Sequence, residues 1–485
     1  MPSSPARLGI REREAWVVVV AGGAGLASAY WDDSWHTTLG RDSALIPPHL
    51  LLYVSIISVG LVLAVWMVRM FGSTRSIPAV LRAPGFLLAA AAAAATAAAA
   101  PADAVWHAAF GRDAVLWSPP HLLSVVATTI LLAALLIGLD QRSSRALRVA
   151  LSAALLGATQ ISLMEYDTDV PQFSEVLYLP LLLVTSLGAA WVIIKTAGFR
   201  YAVSFAVVAY VVFRILILIV LGVPGWIGPD IPLALFGLVL LDLPRSANHW
   251  RWPLAIGAVS SFQVAASLTG VSSVDPASVL RSAFVPAVIV ALISLAILIR
   301  RPTARAALIL LFALGAAVST PSPAFAHDPG QGPSFGTATM VLSGNGSGRI
   351  EVSVSKIETT ASVDLQPDRV IARRAGQTVS GTLGSSGEAG AFSGSIQLPS
   401  PGLWFIYAEF TDGTQSLEIW LPVQHDLEST RAEQRALYEP VGTDEHKPLV
   451  EYLAGGLLLV VSAALVGWLI AAVQRSRRTV RTATR

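Results

Sequence analysis

The chain has 485 residues, of which 54% are apolar and only 13% charged, and its mean hydropathy is +0.63. A soluble protein of this length needs more polar surface, so the composition points to a membrane protein. The net charge of +2 says little alone, while the absence of cysteine excludes disulfides, zinc–thiolate sites and a cysteine-ligated blue-copper centre.

In chain order, apolar runs predict about twelve spans, each near the length that crosses a bilayer. They lie at 15–31, 49–70, 84–102, 121–139, 147–164, 176–195, 201–222, 229–243, 253–270, 282–299, 304–321 and 449–473. Positive residues orient them. With the N-terminus inside, Arg11, Arg69, Arg75, Arg142, Arg145, Lys195, Arg245, Arg300 and the tail from Arg475 fall on the cytoplasmic side. The short outer loops hold only Arg41, Arg112 and Arg281. The expected location is a plasma membrane crossed many times, with both termini cytoplasmic.

The fold expected is an α-helical polytopic membrane protein with an extracytoplasmic all-β sandwich before the last span. Residues 1–322 form the helical domain, with hairpins at about 15–70 and 84–139. Short alternating strands broken by Gly, Ser and Asp fill 327–424. A polar connector (425–448), the last span (449–473) and a basic tail (474–485) follow. Ahead of the β-domain, Ala306–Val318 and Pro323-Ala324-Phe325-Ala326 read as a span and linker, or as a signal-peptide-like segment cleaved after Ala326. Cleavage there leaves His327 as an amino terminus able to chelate copper.

The informative feature is an internal repeat. The first copy runs Asp32-Asp33-Ser34-Trp35-His36 to Gly40-Arg41-Asp42, then Pro47-Pro48-His49-Leu50-Leu51. The second, 71 residues on, runs Asp103-Ala104-Val105-Trp106-His107 to Gly111-Arg112-Asp113, then Pro119-Pro120-His121-Leu122-Leu123. Asp32 and His36 share a helix face at i, i+4, as do Asp103 and His107. The Pro-Pro steps open the returning helix and set His49 and His121 at its start. Two imidazoles and a carboxylate in each copy suit Cu(II), Fe(II) or Zn(II). Interfacial Trp anchors and capping Asp residues are the plain structural alternative. Arg41-Asp42 and Arg112-Asp113 are expected as loop salt bridges or supports for the ligands.

These residues resemble the metal-binding motif of the C subunit of copper membrane monooxygenases, Asp-x3-His-x12-His. Asp32, His36 and His49 match its spacing; Asp103, His107 and His121 match with one extra residue. The resemblance covers about twenty residues per copy and implies copper more than oxygenation. The duplication departs from that family, whose enzymes assemble from three different subunits. The C-terminal β-domain is loosely similar to the cupredoxin-like domain of their B subunit.

Beyond the repeat, Glu165-Tyr166-Asp167-Thr168-Asp169 is an acidic cluster that either holds a cation, with Glu165 the candidate ligand, or is a solvated loop. No phosphate-binding loop, dinucleotide fingerprint, HExxH or nucleophile elbow is present, so nucleotide and nucleic-acid partners are not expected. The bilayer, a metal ion and membrane-protein subunits are. Three functions compete: copper handling, a monooxygenase-like oxidoreductase, and a metal-free scaffold or transporter. No catalytic residue is assigned.

Overall fold

A computed structural model describes residues 8–39, 45–110, 116–140, 142–171, 173–244, 250–299, 331–359, 365–387, 390–413, 415–440 and 448–483, without the side chains of 107–110, 289, 291–299, 331–333, 448, 451 and 476–483. Helices α1 (Glu12–Thr38), α2 (Pro47–Thr74), the short α3 (Ile77–Leu81), α4 (Phe86–Phe110) and α5 (Pro119–Gly138) come first. Then follow α6 (Arg145–Gln160), α7 (Met164–Asp167), α8 (Tyr178–Thr196), α9 (Ala202–Gly222), α10 (Arg251–Leu268) and α11 (Pro276–Ile299). The last helix, α12, spans Pro448–Ala483.

Seven of the described helical segments are long and apolar enough to cross a membrane. They include α2, α5, α9 and a continuous α6–α7 segment, Arg145–Asp167. The expected first span is helical as α1, but glycines and the Asp32-Asp33 end dilute its apolar character. The eighth expected span is instead a 3-10 helix, Leu233–Asp242. At about 2 Å per residue it reaches only about 20 Å, short of the hydrocarbon thickness. It packs on α10 through Gly237, where a Cβ would stand 2.3 Å from the Val259 nitrogen. The eleventh expected span lies outside the described residues.

α1 lies along α2, α4 along α5, and α12 covers α5. Gly455 of α12 approaches Pro119 and Trp106 of the second hairpin. The core between helices is Leu, Ala, Val and Ile, with Trp66 and Tyr210 fully buried.

The β-domain differs from the expected sandwich. Among the described residues, eight antiparallel strands close a barrel in the order β1-β2-β5-β4-β3-β6-β7-β8. These are β1 (Gln331–Gly344), β2 (Arg349–Thr359), β3 (Gln366–Arg374), β4 (Gln377–Ser385), β5 (Phe392–Gln397), β6 (Leu403–Thr411), β7 (Ser416–Gln424) and β8 (Thr430–Pro440). The stretch expected as a polar connector carries β8, which pairs with β1 from Ser343↔Thr430 to Gln331↔Pro440 and so shuts the sheet. Alternating side chains fit a sandwich and a barrel equally; only this long-range pairing separates them. Met340, Leu342, Val352, Trp404, Ile406 and Ile419 are among the side chains filling the interior.

The barrel docks on the helical domain. Ile371, Leu403, Phe405, Tyr407, Trp420 and Tyr438 form an apolar outer face against Val170 and Ile227. At its edge Arg374, 4% exposed, reaches Asp169 (2.6 Å) and Glu175 (2.9 Å). The Leu403 amide donates to Asp169, and the Ala375 amide to the Pro171 carbonyl.

Candidate metal centre

The centre forms where α1 ends and α2 begins. On α1, Asp32 and His36 stand one turn apart; Pro47 and Pro48 start α2 after an extended Ile46 and set His49 in its first turn. The Ser28 hydroxyl donates to the Pro48 carbonyl at 2.8 Å, which ties the start of α2 to α1. The Ser34 hydroxyl donates to the Ile227 carbonyl at 2.7 Å, and Trp31 and Trp35 pack on Trp226. The loop joining the helices, with Arg41 and Asp42, lies outside the described residues.

This frame brings Asp32, His36 and His49 together. Asp32 Oδ1 is 3.0 Å from His49 Nε2 and 3.5 Å from His36 Nε2. One donor atom from each residue falls within 4.8 Å of the others, the span of a shared ion's first shell. All three side chains are partly buried, and the imidazole centroids are 6.0 Å apart. His49 Nδ1 is buried with no hydrogen-bond partner in the described structure. The arrangement brings a carboxylate and two imidazoles together within reach of one ion.

The second copy is partly seen. Asp103 Oδ2 lies 3.3 Å from His121 Nε2. Ser118 caps α5, its hydroxyl accepting from the His121 amide, ahead of Pro119 and Pro120. The His107 side chain and the Arg112-Asp113 loop lie outside the described residues, as does His327.

Glu165 is not part of the Asp32 group. Its buried carboxylate accepts from the Leu116 amide at 2.9 Å, supporting the loop that leads into α5. The rest of the acidic cluster is not a solvated loop either. Asp169 holds the barrel, and Asp167 pairs with Arg214 and accepts from the Tyr178 hydroxyl. Arg214, fully buried on α9, also reaches Tyr30, Tyr210 and the Asp230 carbonyl. A charge this deep persists because the pair and its hydrogen bonds satisfy it. Tyr30 stands two residues before Asp32, so this network braces the helix that carries the site. In the sequence Asp167 falls in the acidic cluster, whereas Arg214 lies inside an apolar run. Nothing in their spacing, 47 residues apart, joins them.

No family of known proteins, no curated protein and no solved structure matches this chain.

Proposed function

We propose that this chain is an integral membrane metal-binding protein whose two outer-face hairpins each hold an ion, and that it handles copper. The observation that carries the reading is the convergence of Asp32, His36 and His49 at the mouth of one hairpin. The Asp103–His121 pair supports a second site of the same design, with His107 completing it. Nitrogen and oxygen donors without thiolate suit Cu(II), which such sets bind more tightly than the other divalent first-row ions. The positive-inside distribution supports an outward-facing site. Aspartate supplies the charge that offsets part of the ion's, and the imidazoles bind as neutral ligands.

Purified protein dialysed against Cu(II) is expected to retain two ions per chain, and His36→Ala or His49→Ala one. Affinity at the altered site falls by more than about a hundredfold. Metal content below one ion per chain in the unaltered protein, measured by elemental analysis, sinks the reading. Zn(II) competes more weakly than Cu(II) if the donor set is the one proposed.

The oxidoreductase reading rests on the three-donor geometry, which leaves coordination positions for a reactant. Oxygen consumption dependent on copper and on an apolar substrate favours it over copper handling.

A further inference from the structure

The last turn of α1 does not end in solvent. A helix leaves its final carbonyls without partners inside the helix. Here Thr38 O accepts from Arg435 Nη2 at 2.6 Å, and Leu39 O from Arg435 Nη1 at 2.8 Å. These carbonyls lie two and three residues beyond His36. Arg435 belongs to β8, so a strand of the barrel grips the end of the helix that bears two of the three ligands.

The grip is itself held. Glu433 pairs with Arg435 at 2.8 Å, and the guanidinium lies 5.2 Å over the Trp420 ring. Trp420 is part of the apolar face that docks against Val170 and Ile227. The Arg435 side chain is only 13% exposed. A planar guanidinium matches two successive carbonyls, and a cation at a helix C-terminus is favoured by the helix dipole.

We infer that Arg435 is a positioning residue for the Asp32–His36–His49 site, so that its hold on the end of α1 and the loading of that site with metal are coupled. The inference rests on the metal-binding reading above. With Arg435 in place, the last turn of α1 holds His36 toward Asp32 and His49. Released, that turn frays and the imidazole loses its fixed approach. Coupling is reciprocal: an ion in the site also favours the Arg435 contact with the end of α1.

The test uses the full chain in lipid nanodiscs, with His121→Ala throughout so that Cu(II) reports on the first site. Arg435→Gln is expected to weaken Cu(II) binding about ten- to a hundredfold and to alter the Cu(II) EPR hyperfine splitting. Arg435→Lys, which keeps the charge and one donor, is expected to fall between the two and guards against a misfolded glutamine variant. Arg374→Gln disturbs the same interface away from α1 and is expected to leave the EPR spectrum unchanged. Unchanged affinity and spectrum in both Arg435 variants overturn the assignment while the metal reading stands. An Arg374→Gln spectrum altered as much as that of Arg435→Gln also overturns it, because the effect is then general undocking. A His121→Ala protein that binds no Cu(II) removes the metal reading first, and this inference with it.

Discussion

Asp32 and Asp169 are both partly or largely buried carboxylates at the outer end of the helical domain, yet they do different work because their partners differ. Asp32 faces two imidazoles, and Asp169 faces the Arg374 guanidinium and the Leu403 amide. Burial pushes the Asp169 carboxyl above its ordinary value, and Arg374 offsets only part of that rise. A carboxyl raised in the folded state contributes stability that is full below its ordinary value and is lost as pH rises through the raised one. Thermal midpoints measured from about pH 4 to about pH 6 are therefore expected to fall less steeply in Asp169→Asn than in the unaltered protein. Equal slopes would remove Asp169 as the source.

At the scale of elements, two close approaches decide what the chain can do. The turn between β3 and β4 uses Ala375 and Gly376, both at positive φ (51° and 74°), and delivers Arg374 to the interface. This is the backbone of a type I′ hairpin, where Asn precedes Gly at least cost. Ala375→Asn keeps the amide that donates to Pro171 and is expected to stabilise the barrel by about 0.5–1 kcal/mol in chemical denaturation. Lower stability would mean the turn is not of this type in solution. Gly237 is the opposite case. Any side chain there meets the α10 backbone, so Gly237→Val is expected to destabilise the helical domain by about 2–3 kcal/mol. Detergent-solubilised protein would show this as a lower thermal midpoint.

At the scale of the whole molecule, a helical body and a closed barrel meet over an apolar face edged by Arg374 and Arg435. The barrel then belongs on the same side of the membrane as the Asp32–His36–His49 group. Because the chain has no cysteine, single-cysteine reporters test this cleanly. Ser385→Cys on the barrel is expected to react with a membrane-impermeant thiol reagent in intact cells. Ser73→Cys, in the last turn of α2, is expected to react only once the cells are opened. The reverse pattern would invert the orientation inferred from the arginines.

Much of this was legible in residues close together in the chain. Asp32 and His36 share a helix face by spacing alone, and Pro47-Pro48 announces the helix start that carries His49. The apolar runs marked α2, α5 and α9, and alternation marked most strands. Local sequence carries these features because helix periodicity, proline geometry and strand alternation act over a few residues. What it did not carry were contacts between distant segments. β8 looked like a connector until its pairing with β1 closed the barrel. The run at Leu233–Asp242 reads as a span in sequence, and in the fold it is a 3-10 helix packed on α10 through Gly237. Asp167 found Arg214, and Arg435 found the end of α1 across 397 residues. Such partners are chosen by packing and by the need to satisfy buried charge. Both depend on the assembled fold, and neither leaves a period in the sequence.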